Sequence, residues 1–332
     1  MPQTPIKPRS VMIYGVSGST KTSQLYHLAK MILRMAEKER GRKCKLRMIH
    51  SDGGGYAPFI DSGMIERGEV EVFDYSNRVM ALADLRKLSE GYWPRWVWED
   101  GKAHIEYKEG AKEYFVKHPT CMTTKEEWEG IAGYLIEGMS SIGDGLKAHI
   151  SNQPQGVGFK ESWSYTEEDY TITGLQMGHY GMVQKEFEER HKKGFNSLPI
   201  PWLVYTSLQG KGEDKQNRET VYGPLLVGSA TVSSAPAWFM DVIHLEKVKW
   251  NGDASPKVKE LELSGDGEHE GMVAWFTQHN DINTSVPYLV KARVMPDKFP
   301  ELISYFPFGF VPLGFRNGLN AYFSVLEKLR KG

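Results

Sequence analysis

The segment YGVSGSTKTSQ, Tyr14 to Gln24, decides how the rest of the chain is read. Within it, Gly15-Val16-Ser17-Gly18-Ser19-Thr20-Lys21-Thr22 meets every fixed position of the phosphate-loop pattern G-x-x-x-x-G-K-[ST] but one, with Thr20 where the pattern has glycine. VMIYG, Val11–Gly15, is a short apolar run that predicts a buried strand. From Lys21 to about Lys38, Leu25, Leu28, Ile32 and Met35 recur at three and four, which is a helix face. A strand entering and a helix leaving is the setting the loop requires, because unpaired N–H groups at a helix N-terminus attract anions. On this reading Gly15 through Ser23 (Gly15, Val16, Ser17, Gly18, Ser19, Thr20, Lys21, Thr22 and Ser23) bind nucleotide. Lys21 reaches the terminal phosphates and the Thr22 hydroxyl ligates Mg²⁺. The Cβ of Thr20 resists the backbone angles glycine adopts freely, so strain in the loop or slow turnover is expected.

Outward from the loop the chain alternates. KLRMIHSD (Lys45–Asp52) and VEVFDY (Val70–Tyr75) read as strands, Val79–Leu88 as a helix, GYLIEG (Gly133–Gly138) as a fourth strand with a helix after it to about Ile150, and PWLVYTS (Pro201–Ser207) as a fifth. Strands alternating with helices predict an α/β fold with a mostly parallel sheet covered by helices. Residues 92–128 break the rhythm and read as an insertion with a hairpin about Asp100-Gly101. Four of the nine tryptophans (Trp93, Trp96, Trp98 and Trp128) fall at this insertion, as a local aromatic core or a partner surface. Gln176–Lys193 reads as a helix with a solvated charge run, and 151–175 and 209–223 as mobile loops. DVIHLEKVKW, GMVAWFTQH and PYLVKARV read as late antiparallel strands, and Asn317–Arg330 as a terminal helix. The expected organisation is a flexible arm over 1–10, an ATPase domain over 11–300 and a helical extension over 301–332.

Ligands of α/β sheets bind at the carboxyl ends of strands, and two acids fall there. Glu137 ends GYLIEG and is the candidate to hold the water shell of Mg²⁺. Asp52 ends KLRMIHSD and is the candidate to orient or deprotonate the attacking water, although the two roles are exchangeable. Thr206, Ser207 and Gln209, at the end of the fifth strand, either sense the γ-phosphate or are ordinary turn residues.

Composition narrows the alternatives. The chain has 332 residues, 40% hydrophobic and 25% charged, with a net charge of −1, so there is no global basic field to hold nucleic acid. Cys44 and Cys121 are the two cysteines and form no CxxC pair, which reads as two free thiols in a reducing compartment. No apolar run approaches the roughly 18 residues of a membrane span, so no membrane partner is expected and the protein is expected in the cytoplasm, that of the host if viral. HExxH and G-x-S-x-G are absent, and the ten histidines show no ligand spacing.

Taken in order, GVSGSTKT, SDGGG, YLIEG, YTS and GPLLVGSATVSSAPAWFMDVIHLEK resemble the RecA-like P-loop ATPases, particularly phage-encoded nucleotide-binding proteins of that type, over roughly residues 11–295. The resemblance implies a RecA-like core that binds ATP and Mg²⁺ and acts on DNA, expected to be single-stranded, in recombination or replication. It further implies that Lys291 and Arg293 in YLVKARV act in trans on a neighbouring subunit's nucleotide, and hence a homo-oligomer, ring or filament. Loops matching the family's DNA-lining segments would place Lys160 and Trp163 in one and Lys211, Lys215 and Arg218 in the other against the strand. The second of these loops has no net charge, because Glu213, Asp214 and Glu219 balance its cations. The family has Glu after the second strand and Asp in the fourth; here they are swapped. With Thr20 that makes three departures around one site: either the geometry is compensated or catalysis is slow, and the departures favour the alternative of an assembly protein that keeps nucleotide as a structural ligand. A small-molecule phosphotransferase is the weakest reading, since no arginine-rich lid follows the core.

Overall fold

A computed structural model describes residues 7–52, 56–74, 81–94, 97–99, 102–104, 121–151, 164–167, 170–173, 177–213, 220–252, 255–263, 266–278, 300–314 and 317–331. The centre is a nine-stranded sheet. Its strands are β1 (Arg9–Gly15), β2 (Lys45–His50), β3 (Val70–Asp74), β6 (Ile131–Glu137), β9 (Trp202–Glu213), β10 (Thr220–Leu225), β11 (Asp241–Asn251), β12 (Glu268–Gln278) and β13 (Val311–Pro312). The spatial order is β13-β12-β11-β1-β9-β6-β2-β3, with β10 paired to β9. From β11 across to β3 every neighbouring pair is parallel, whereas β12 and β13 add antiparallel strands at one edge. Two short antiparallel pairs lie off the sheet: β4 (Val97–Glu99) with β5 (Lys102–His104), and β7 (Ser164–Glu167) with β8 (Tyr170–Thr173). The fold is thus α/β with a mostly parallel mixed sheet and late antiparallel strands.

The apolar strand runs divide by parity between two faces. Val11, Ile13, Leu46, Met48, Leu135 and Val204 pack under α1 (Lys21–Arg40), α2 (Ala57–Asp61) and α9 (Leu319–Lys331), while Met12, Tyr14, Ile49, Tyr134, Ile136, Leu203 and Tyr205 pack under α3 (Ala81–Ser89), α5 (Met139–Ser151) and α6 (Met177–Glu189). Both faces being covered is why these strands read as continuous apolar runs instead of alternating ones. Each leucine or isoleucine so buried contributes roughly 1.5–3 kcal/mol. The remaining helices are the single turn α4 (Lys125–Trp128), α7 (Gly228–Ser234) and α8 (Pro256–Glu260). No helix among the described residues is long and apolar enough to cross a membrane.

Several expectations are corrected. Residues 9 and 10 belong to the sheet and not to a loose arm. Arg9 Nε donates to Asp241 Oδ2 at 2.7 Å and its NH2 to Oδ1 at 3.3 Å, and the guanidinium lies 5.0 Å from the Phe323 ring centre. β11 is not purely antiparallel: α7 carries the chain back across, so β11 runs parallel to β1 and antiparallel only to β12. The segment 209–213 is not a loop but the far half of β9, paired with β10. Its inward positions are Gly210 and Gly212, so the alternation carries no apolar signal. A Cβ on Gly210 would meet Val232 at 2.8 Å, and one on Gly223 would meet the Val232 carbonyl at 2.5 Å, so α7 seats directly on bare backbone. Part of 151–175 likewise forms the β7–β8 hairpin. The terminal helix α9 lies in the same core as α1, and the Leu319 N–H donates to Gln24 Oε1 at 3.1 Å.

Trp93 and Trp128 join a local aromatic cluster with Tyr134, and the buried Arg47 lies over both indoles at 4.9 and 5.6 Å. Arg47 is satisfied by Glu71 Oε2 (3.1 Å), Thr123 Oγ1 (2.6 Å) and the Tyr134 hydroxyl (3.0 Å). Beyond α6 a π-helical turn, Arg190–Gly194, turns His191 inward between the Tyr205 hydroxyl (2.8 Å) and the Trp238 carbonyl (2.7 Å). Burial drives its pKa down to about 4, so the ring is neutral.

Candidate nucleotide site

β1 delivers the chain to the carboxyl edge of the sheet at Gly15, and α1 departs at Lys21. Between them the loop turns on a Ser19 N–H to Val16 carbonyl bond of 3.2 Å. Two of its residues have left-handed backbone, Gly18 (φ 75°) and Thr20 (φ 61°, ψ 17°). The position where the motif calls for glycine therefore adopts glycine's conformation while carrying a threonine, and the side chain makes no capping hydrogen bond. The strain expected from the sequence is present in the backbone.

Lys21 folds back over the loop. Its Nζ donates to the Val16 carbonyl at 2.8 Å and the Gly15 carbonyl at 3.1 Å, with Ser19 Oγ at 3.4 Å. Burial lowers its pKa, and the negative charges of Glu137 and Asp52 oppose the shift. The Thr22 hydroxyl donates to Glu137 Oε1 at 3.4 Å. Glu137 is 3% exposed at the end of β6, and its other oxygen, Oε2, has no hydrogen-bond partner. Burial first, then the charge of Asp52, raises the Glu137 carboxyl to about 7.

Behind Glu137 stands His50, its register partner on β2. His50 Nε2 is 3.6 Å from Glu137 Oε2 and Nδ1 is 3.8 Å from Asp74 Oδ1, and neither ring nitrogen makes a hydrogen bond. The ring meets Tyr56 edge-on at 4.4 Å, and burial lowers its pKa, so it is a neutral neighbour of the acid. On the opposite wall Thr206 Oγ1 accepts the Gly138 N–H at 3.0 Å. Ser140 and Ser207 both donate to the Leu225 carbonyl, at 2.6 and 2.7 Å, and Ser140 Oγ accepts the Leu208 N–H at 3.0 Å.

These groups enclose one cleft of about 290 Å³. Ser17, Gly18, Ser19, Thr20, Lys21, Thr22 and Ser23, the exposed Asp52, Glu137, Thr206 and Ser207 all line it. Gly15 and Val16 contribute the carbonyls that hold Lys21. Gln209 does not line it; its Oε1 lies 2.9 Å from His244 Nε2 on β11, three strands from the acid strand β6. Lys211 is exposed on the far half of β9, opposite Tyr222. Lys160, Trp163, Lys215, Arg218, Lys291 and Arg293 lie outside the described residues. Sequence reading missed His50, Ser51 and Ser140. Ser51 Oγ donates to the Gly138 carbonyl at 2.7 Å. The available signal for His50 was its place at the carboxyl end of the strand KLRMIH, two residues before Asp52, where sheets of this kind bind ligands.

The donor set suits a polyphosphate with Mg²⁺. Among the described residues no three His, Cys, Asp or Glu side chains are grouped to cage a metal. Mg²⁺ keeps several waters and takes one or two protein oxygens plus phosphate, so Thr22 and the unpartnered oxygen of Glu137 fit it without such a cage. No protein-family model matches the chain, and no curated protein is significantly similar to it.

Proposed function

We propose that the chain is a P-loop protein of RecA-like architecture that binds ATP with Mg²⁺ and hydrolyses it. The observation that carries this reading is Glu137: a carboxylate buried at a strand end, bonded to the hydroxyl of the phosphate-loop threonine through one oxygen, with the other unpartnered in the same cleft. An unpaired buried carboxylate oxygen costs stability, which is the pattern of a site that completes itself with a ligand. The strand order supports the architecture, with β9 between the loop strand β1 and the acid strand β6 and antiparallel strands beyond β11.

Each residue then has a role. The loop N–H groups around Ser19 hold the phosphates, and Lys21 exchanges the Gly15 and Val16 carbonyls for phosphate oxygens. Bound Mg²⁺ would neutralise charge on the phosphates, with Thr22 and Glu137 as its protein contacts. Asp52, exposed across the cleft from Lys21, is left to orient the attacking water. Lys291 and Arg293 acting from a neighbouring copy, and coupling of turnover to single-stranded DNA, extend the same reading.

The test is a fluorescent-nucleotide titration of Lys21→Ala beside phosphate release by Glu137→Gln. Loss of at least about ten-fold in affinity for the first, and retained binding with lost turnover for the second, are expected. Unchanged affinity in Lys21→Ala refutes the loop assignment. A second reading, nucleotide held as a structural ligand, is favoured by the strained Thr20 and by a Glu137 that is protonated near neutrality. Nucleotide that co-purifies and shows no phosphate release, with or without single-stranded DNA, selects it.

A further inference from the structure

The aromatic insertion and the basic end of α1 meet in a second cleft. It lies at the amino edge of the sheet, where α1 ends and β6 and β9 begin, a helix of 20 residues (about 30 Å) away from the phosphate loop. Its volume is about 730 Å³, the size of a small-molecule site, and it is lined by Arg40, Arg42, Lys125, Trp128, Glu129 and Pro199.

Three cations face one carboxylate, and two of the cations are held in place. Arg40 NH1 donates to the Glu129 carbonyl at 2.6 Å and the Ile131 carbonyl at 3.0 Å, which fixes the plane of its guanidinium. Arg42 NH2 bonds Glu129 Oε2 at 3.0 Å, an exposed pair worth little by itself. Trp128 is half-buried and cannot swing away, because Arg47 lies 5.6 Å over its ring and the Tyr134 ring is 6.2 Å from it. A basic residue at the end of α1 offsets the helix dipole, which accounts for Arg40 alone. Lys125 and Trp128 come from a distant segment and have no such duty.

We propose that this cleft binds a nucleotide unit, with its base against Trp128 and its phosphate between Arg40, Arg42 and Lys125. Fixed ring and planar guanidinium together are what base stacking and phosphate pairing require, whereas an acidic peptide would use the cations and leave the indole idle. The unit is either a free nucleotide or part of a single strand, and the chemistry is common to both. The site is independent of the phosphate-loop reading and does not share a residue with it.

The experiment titrates the full chain with a fluorescein-labelled oligothymidylate across a range of salt, and with AMP as competitor. Arg42→Ala/Lys125→Ala removes exposed cations and leaves the fold intact, as a thermal melt checks. It should weaken strand binding at least ten-fold and lower the slope of log K against log salt by about 0.7, the value for one phosphate contact on a single strand. Trp128→Leu should weaken binding about ten-fold with the slope unchanged. Lys21→Ala should leave this titration as in the parent, which separates the two sites. Competition by AMP identifies the free nucleotide as the source; strand binding without it identifies the strand. Equal affinity and slope in parent and double variant overturns the proposal, as does binding of polyglutamate with no binding of AMP or strand.

Discussion

Replacing Thr20 with glycine isolates the oddest feature of the loop between β1 and α1. Thr20 holds φ 61° and ψ 17°, a conformation that costs a residue with a Cβ roughly 1–2 kcal/mol. Its hydroxyl caps nothing, so removing the side chain loses no hydrogen bond at the helix start. Glycine gives back about 0.5–1 kcal/mol through its greater freedom in the unfolded chain. The difference leaves Thr20→Gly more stable by about 0.5–1 kcal/mol, a rise of about 2 °C in Tm for a chain of this length. Thr20→Ala keeps the Cβ and therefore keeps the strain, so it should show no gain. Urea and thermal unfolding of the three proteins without nucleotide read both effects. A glycine variant no more stable than the parent, or an alanine variant as stable as the glycine one, refutes the claim that backbone strain at this residue is stored in the fold.

Glu137→Gln should change how stability depends on pH. The folded carboxyl titrates at about 7 and the unfolded one at 4.5, so between those values only the folded state keeps the proton. Stability of the parent therefore falls as pH rises through that window, and the glutamine variant, which does not ionise, should be the more stable above pH 7 by on the order of 3 kcal/mol, with the gap closing towards pH 4.5 in melts without nucleotide. Arg9→Met removes the two charge-assisted hydrogen bonds that Arg9 makes to the buried Asp241 and should cost about 1.5–3 kcal/mol in denaturant unfolding. His191→Leu leaves the buried Tyr205 hydroxyl and the Trp238 carbonyl unpaired, an expected loss of about 2–4 kcal/mol by thermal melt.

The parts of the fold legible in the sequence are those where one rule acts alone. VMIYG before the loop, the Leu25–Leu28–Ile32 face of α1 and the acid closing GYLIEG each carry a local pattern, and the structure brings Lys21, Thr22, Asp52 and Glu137 around one cleft. What was not legible depends on distant partners. Arg9 reads as a charge in a proline-rich start, yet Asp241 and Phe323, far along the chain, draw it into the sheet. Gly210 and Gly223 read as loop because glycine carries no hydropathy, although their bareness is what admits α7. The parallel setting of β11 follows from the crossover through α7, which no strand pattern encodes. His50 faces Glu137 only because β2 and β6 pair in that register.

β9 is a single run from Trp202 to Glu213, and its two halves do different things. The first half is wedged between β1 and β6, keeping Lys21, past the end of β1, and Glu137, at the end of β6, one strand apart. The second half pairs, among the described residues, with β10 alone. No joint separates them, and Gly210 and Gly223 pressed against Val232 leave little slack at the root. The hairpin is thus a cantilever clamped in the floor of the cleft. Thr206, which holds the Gly138 amide, and the outer half paired with β10 therefore belong to one unbroken strand.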